Sequence, residues 1–243
     1  MVCVAPPIVM GNGIAEAIEA FSLGNPVMIF DSDFRERETD LLWPAAKATP
    51  GIMRRLRKDC GGLLFLAIGD EIGEKFGLPW LQDIHSSASI VEENPVLGEL
   101  ITNDLQYDSR SAFTLSLNHR ETYTGITDRD RALTTRRFGE LAGEVYELSN
   151  SEAMEALGKE FRTPGHIPLC RESPGGLSKR QGHTELAVAI ARLSGNIPCT
   201  IGAEMLDPDG DGALSLQEAR KYAEEHGIPM ITGNDIMESM DMV

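Results

Sequence analysis

Two short stretches of this chain concentrate the side chains that could do chemistry. In "PVMIFDSDFRERETD", residues 26 to 40, an apolar run from Val27 to Phe30 gives way to Asp31, Asp33, Arg35, Glu36, Arg37, Glu38 and Asp40. If the backbone stays extended past Phe30, successive side chains alternate, putting Glu36, Glu38 and Asp40 on one side and Arg35, Arg37 and Thr39 on the other. Carboxylates two residues apart along a strand lie roughly 6.5 to 7 Å from one another, close enough to repel and to share a divalent cation with its water shell. In a partly dry site such carboxylates either take up protons or gather a cation. The alternative is a solvated turn, which is what most charge runs are.

The second stretch is "SKRQGHTELAVAIARLSG", residues 178 to 195. Thr184 stands where a helix begins, with Gly182 freeing the backbone just before it. The unpaired amides of a first helical turn, with the helix dipole, attract anions. Lys179 and Arg180 lie immediately upstream, and a guanidinium can give a phosphate two parallel hydrogen bonds. His183 at the rim could bind a metal through a neutral ring nitrogen. A simple capped helix with a basic entry is the plainer reading. Acids for a cation together with bases for an anion suit an enzyme that handles a small sugar phosphate.

These stretches need a scaffold, and the rest of the chain supplies its signals. Ile14, Ile18 and Phe21 recur at helical spacing in "GIAEAIEAFSLG", which Gly24 stops. "TPGIMRRLRKDCGG", "TDRDRALTTRRFGELAG" entered at Thr127 or Asp128, "HTELAVAIARLSG" and "SLQEARKYAEEHG" also read as helices. "PVMIF", "LLFLAI", "SAFTLSL", "PCTIGAEML" and "IPMIT" read as strands. Helices and strands alternate, but hairpin-like spacings in the middle spoil a purely parallel arrangement. The expectation is one α+β domain over residues 1–243: a mixed β-sheet with helices packed on both faces, like an α/β/α sandwich.

The net charge of −16 argues against a nucleic-acid or anionic-membrane surface, which needs a positive field, but leaves room for a small anionic substrate. Cys3, Cys60, Cys170 and Cys199 are scattered without a CxxC pair, so neither a disulfide framework nor a zinc site is indicated. The start lacks a basic n-region, and the longest apolar run, "LLFLAI", is far too short to span a bilayer. A cytoplasmic setting is expected.

The sequence resembles the 3,4-dihydroxy-2-butanone 4-phosphate synthase family of riboflavin biosynthesis. The resemblance rests on "DSDFRERETD" followed by "LLWPA", then on "TGITDRDRALTTRR", "RTPGHIPL", "GGLSKRQGHTELAVAIARLSG" and "AEM", in the family's order, from about residue 13 to 236. It implies conversion of D-ribulose 5-phosphate into L-3,4-dihydroxy-2-butanone 4-phosphate and formate, with Mg2+ and with Mn2+ as a substitute. It also implies a homodimer with active sites near the subunit boundary. Residue by residue, it implies Glu36 and His183 as metal ligands, with Arg35, Glu36 and Asp40 contacting the sugar. Arg180, Gln181, Gly182, His183 and Thr184 would hold the phosphate. His166, Glu204 and Asp40 would be catalytic, Glu204 also contacting substrate. The family often has cysteine in the strand that here carries Phe65 and Ala67, so a thiol there is not required. No GTP cyclohydrolase II half is recognisable. Residues 71 to 110 depart most from the pattern, and His85 and Asp108 within them are either functional or idle.

One motif belongs to another class. "DPDGDGALSLQE", residues 207 to 218, fits an EF-hand calcium loop, with Asp207, Asp209 and Asp211 at positions 1, 3 and 5, Gly212 at 6, Ser215 at 9 and Glu218 at 12. A calcium-binding regulatory protein is therefore the rival reading. "NIPCTIGAEML" is a poor entering helix, and the motif occurs once.

Overall fold

A computed structural model describes residues 13–101, 104–105, 108 and 110–242, so Cys3 lies outside the described residues. The chain order is α1 (Gly13–Ser22), β1 (Val27–Phe30), β2 (Thr39–Pro44), α2 (Pro50–Arg55), β3 (Phe65–Ile68) and α3 (Asp70–Lys75). Three short helices follow, α4 (Leu81–His85), α5 (Ala88–Glu93) and α6 (Val96–Glu99), then β4 (Phe113–His119), α7 (Asp128–Glu144) and α8 (Asn150–Glu160). The remainder is β5 (Phe161–Arg171), α9 (His183–Leu193), β6 (Cys199–Glu204), α10 (Leu216–His226), β7 (Met230–Thr232) and α11 (Gly233–Ser239). Among the described residues no helix is long and apolar enough to cross a membrane.

The strands form one seven-stranded sheet in the order β4-β5-β3-β6-β2-β1-β7. It is mixed: β3 runs parallel to β5 and β1 to β7, while β1/β2, β2/β6, β3/β6 and β4/β5 are antiparallel. Side chains that alternate along a strand feed two separate cores, as a period of two requires. Met28, Leu41, Leu66 and Ile201 face the core that holds Met53 of α2 and Phe138 and Leu141 of α7. Val27, Ile29, Leu42 and Phe65 face the other, closed by Phe21 of α1, Leu186 and Ile190 of α9 and Ile236 of α11. Helices on both faces of a mixed sheet are what the pattern of elements predicts.

Helix boundaries follow their capping side chains. Thr49 accepts from the Ile52 amide at 3.2 Å and Thr127 from the Asp130 amide at 3.2 Å, each occupying an amide that has no partner within its helix. α8 opens with a reciprocal box between Ser149 and Glu152. The sheet order has a consequence for function. β1, β2 and β6 are neighbours, so the end of β1, the start of β2 and the end of β6 come together, and α9 lies over them.

Candidate active site

The acidic stretch is not extended where the alternation argument needed it to be. The chain turns over residues 33–36 and becomes a strand only at Thr39. Arg37 adopts the left-handed conformation, with φ of 60°, which costs an L-residue about 1–2 kcal/mol. The turn is tied by Asp31, buried at the end of β1, whose two oxygens accept from the Glu36 amide at 2.9 Å and the Glu38 amide at 3.0 Å. Glu36 and Glu38 therefore share a side, as expected, but because of a tied turn and not because of strand pleating.

Both face His183, the first residue of α9. Glu36 Oε2 lies 3.3 Å from His183 Nδ1, and Asp31 Oδ2 lies 3.8 Å from His183 Nε2. The hydrogen bond with His183, aided by the charges of that ring, Arg35 and Arg180, holds the Glu36 carboxyl down at about 2 despite burial. Burial pushes His183 the other way, but the surrounding carboxylates of Asp40, Glu36 and Asp31 outweigh it and hold the ring up at about 10. The cluster thus draws a positive charge to its centre.

Ligand atoms of Glu36, Glu38 and His183 all lie within 4.8 Å of one another. His183 Nε2 is buried without a hydrogen-bond partner among the described residues, since Asp31 at 3.8 Å is too distant for one. Two carboxylates and an imidazole that would release its proton on binding fit a hard divalent cation such as Mg2+ or Mn2+.

Beneath this cluster Asp40 on β2 and Glu204 on β6 are cross-strand partners. Asp40 is 1% exposed, and its Oδ1 has no hydrogen-bond partner among the described residues. Burial, together with the charges of Glu204, Glu38 and Asp31, pushes its carboxyl up to about 7, against the pull of His183. Burial also raises Glu204, chiefly, against the pull of backbone amides and His183. Gly62 packs directly on Glu204: a Cβ there would meet the Glu204 backbone oxygen at 2.5 Å.

The anion side is built by Arg180, Gly182, Thr184 and Glu185. Gly182 has φ of −93° and ψ of 172°, a backbone open to any residue, so freedom of backbone is not why glycine stands there. The guanidinium of Arg180 occupies the space a Cβ would take. Arg180 donates to Asp108 Oδ2 from Nε at 2.9 Å and to the fully buried Glu185 from Nη1 at 2.5 Å. Thr184 is buried, and it lines a cavity of about 240 Å³ together with Glu36, Asp108, Arg180, His183 and Glu204. Arg35 reaches the same place through Asp108 at 3.2 Å. Gln181 is exposed and does not line the cavity. Cys170 does line it, but burial pushes its thiol up to about 12, leaving it protonated and unreactive near neutrality.

His166 is not brought to this cluster within one chain. It is exposed on β5, roughly 13 Å along the strand from Cys170 at 3.3 Å per residue. Its backbone amide donates to Asn118 Oδ1 at 2.9 Å, and the Asn118 amide group contacts His166 Nδ1 at 3.0 Å. Asn118 Oδ1 also lies 3.3 Å from the same nitrogen, so the ring is held through Nδ1. Gly125 closes over this pair, and Asp130 ties its loop by accepting from the Thr124 and Gly125 amides at 3.0 and 2.8 Å.

The calcium-loop reading does not survive the structure. β6, not a helix, leads into residues 207–218, and Glu218 at the twelfth position bonds to Ser215 Oγ at 2.7 Å as part of the start of α10. Asp207 Oδ1 accepts from the Asp209 amide at 2.9 Å, the arrangement of an acidic turn.

Four side chains that brace the candidate site escaped the sequence reading: Asp31, Glu185, Asn118 and, with no role given to it, Asp108. Asp31 had a signal, a carboxylate directly after an apolar strand. Asn118 and Glu185 had none that separates them from ordinary strand and helix residues.

A family model for 3,4-dihydroxy-2-butanone 4-phosphate synthase matches residues 15–239. The chain is 42% identical over 226 residues to the 3,4-dihydroxy-2-butanone 4-phosphate synthase of Methanothermobacter thermautotrophicus, covering 93% of this chain and 95% of that protein. It is 43% identical over 224 residues to the protein of the same name from Archaeoglobus fulgidus, covering 92% of each. A crystal structure of 3,4-dihydroxy-2-butanone 4-phosphate synthase in complex with two magnesium ions superposes with a TM-score of 0.71 at 25% identity, covering 94% of this chain and 96% of that one.

Proposed function

The chain belongs to the 3,4-dihydroxy-2-butanone 4-phosphate synthase family, and we propose that Glu36, Glu38 and His183 hold its metal while Arg180 and the start of α9 hold the phosphate of its substrate. It is an enzyme of riboflavin biosynthesis that converts D-ribulose 5-phosphate to L-3,4-dihydroxy-2-butanone 4-phosphate and formate, dependent on a divalent metal. The observation that carries the site assignment is the 3.3 Å contact between Glu36 and His183, remote in sequence and joined in a single donor cluster with Glu38. Magnesium, with manganese as a substitute, supplies polarisation of the ketone and of neighbouring hydroxyl oxygens when bound.

The chain's own residues do the rest. Arg180 and the first-turn amides of α9 fix the phosphate end, with the Thr184 hydroxyl as a further donor. Arg35, beside Arg180 across Asp108, contacts the sugar at its phosphate end, and Asp40 contacts the sugar itself. Asp40, buried beneath the cluster and raised to about 7, is the base assigned to the carbon beside the ketone, its carboxylate reaching the cavity once substrate and metal are bound. Glu204, raised by burial and next to Asp40 across the strand pair, exchanges protons with the sugar oxygens. The first turn of α9 and the strand ends keep these groups on rigid elements, which holds their geometry.

His166 enters this scheme only from a second copy. Tyr123 is 94% exposed on the loop that closes over His166, and Phe34 is 96% exposed beside Glu36. Large exposed apolar side chains at both places favour a homodimer that covers them and brings His166 of one chain to the metal cluster of the other.

Two measurements test the reading. Glu36→Gln removes one metal-binding oxygen and keeps the shape; formate release from ribulose 5-phosphate falls to background and Mn2+ affinity, read by calorimetry, falls at least about tenfold. Normal turnover in that variant sinks the metal assignment. Mixing inactive His166→Ala with inactive Glu204→Gln under subunit exchange restores about a quarter of full activity if sites are shared in a dimer. No recovery on mixing removes the shared site.

A further inference from the structure

In the cavity between the acidic loop and the start of α9, the carboxylate of Asp108 lies between two arginines. Its Oδ2 is 3.2 Å from Arg35 Nη2 and 2.7 Å from Arg180 Nη2, and also accepts from Arg180 Nε at 2.9 Å. Its Oδ1 faces Arg35 Nη1 at 3.5 Å. The three side chains are 12%, 16% and 10% exposed for Arg35, Arg180 and Asp108. Asp108 arrives from the connection between α6 and β4, remote in sequence from both arginines.

We propose that Asp108 is a specificity-determining residue: an internal anion that occupies the arginine pair and is displaced only by a phosphoester. The proposal rests on the reading of Arg180 and the α9 start as the phosphate site. Arg35 also faces Glu36 Oε1 at 3.6 Å and Arg180 also binds the buried Glu185, so each keeps one carboxylate of its own; Asp108 is the anion the two share, and it offsets their mutual repulsion. Asp108 supplies one charge on two oxygens. A phosphomonoester supplies nearly two charges on three oxygens and can also take the first-turn amides of α9, whose dipole favours it further. The exchange is one anion for another, so a sugar without a phosphate has nothing to offer the arginines in return. A ligand ending in a carboxylate gains no more than it displaces. Discrimination between phosphorylated and unphosphorylated sugars is thereby built into the cavity and does not depend on affinity for the sugar itself.

The competing role is a brace, in which Asp108 orients the arginines for phosphate. The two roles predict opposite signs. Asp108→Asn keeps the shape and removes the charge. Its affinity for inorganic phosphate, by calorimetry on the full-length protein, is expected to rise at least tenfold, with a matching fall in KM for ribulose 5-phosphate. The preference for phosphate over acetate is expected to narrow. Unchanged or weaker phosphate binding in Asp108→Asn overturns the proposal. Asp108→Ser repeats the test with a smaller neutral side chain, and a melting curve on each variant verifies that the fold is kept. Arg180→Gln separates the two layers. If it abolishes phosphate binding while Asp108→Asn weakens it, the displaced anion is wrong and the phosphate site stands. If Arg180→Gln leaves phosphate binding intact, the phosphate site and the displaced anion fall together.

Discussion

Gly182→Ala offers the sharpest test of how the anion side is built. Backbone strain is not the issue, because φ of −93° suits alanine. The new Cβ would coincide with the Arg180 guanidinium, its Cζ lying 2.6 Å away. Moving the end of a flexible side chain is cheap in itself. What it must leave is not: Glu185, whose side chain is 0% exposed, and Asp108. Glu185 keeps its bond from the Ser173 amide at 2.9 Å, so the loss lies at the lower end for a broken buried pair, about 2–3 kcal/mol. Alanine is also a poorer N-cap than glycine, by about 1 kcal/mol. The sum, roughly 3–4 kcal/mol, corresponds to a drop in Tm of roughly 10 °C for a chain of this size.

If Arg180 holds the phosphate, KM for ribulose 5-phosphate rises in the same variant, by roughly ten- to a hundredfold for lost charge-assisted hydrogen bonds. The decisive assay is a double-mutant cycle by thermal or urea denaturation. In an Arg180→Ala background the guanidinium is gone, and Gly182→Ala should cost only the capping increment of about 1 kcal/mol. Equal losses in both backgrounds, or a single variant within about 2 °C of the parent, would refute the reasoning that the glycine exists to seat the guanidinium.

Asp130→Asn should loosen the loop over His166. Its carboxyl is held below the ordinary value first by the Gly125 amide and then by those of Thr124 and Tyr123. A depressed acid stabilises the fold fully above its unfolded pKa near 4, and that stability is lost as pH falls through the folded value. The parent should therefore exceed the variant by about 1–2 kcal/mol at neutral pH, with the gap closing below about pH 4; a gap independent of pH would contradict this. Calcium should act, if at all, through the Glu36 cluster: any shift in melting temperature on adding calcium persists in Asp211→Asn and disappears in Glu36→Gln. The reverse pattern would restore the 207–218 loop as an ion site.

Much of the sheet is legible because its strands are short apolar runs, as in "PVMIF" and "LLFLAI". β2 is not, because its first two residues are the polar Thr39 and Asp40, both buried for the sake of the site. β5 hides behind Pro164 and Pro168, which read as breakers, yet it pairs on both sides, with shifts of register against β4. The helices α4, α5 and α6 bury no side chain completely, so residues 81–99 carry no periodic apolar face to read. For the site, residue types declared the metal cluster and the basic entry to α9. The left-handed Arg37 and the tying role of Asp31 could not be seen, since both depend on where a turn places its amides.

The same dependence explains why so costly an arrangement persists. Asp31, Glu36, Glu38, Asp40 and Glu204 surround one imidazole, and burial raises Glu38, Asp40 and Glu204. Apolar side chains of the same volume would give a more stable strand end, because buried charges rarely recover their desolvation cost. Nothing about folding asks for them. What tolerates them is the pair of cores on the two faces of the sheet, which fix β1, β2 and β6 side by side whatever their ends carry. Repulsion among the carboxylates is then a standing demand for positive charge at one point in the molecule, at the ring of His183. A divalent cation meets that demand better than a proton does, so metal binding should stabilise the fold as well as prepare the chemistry.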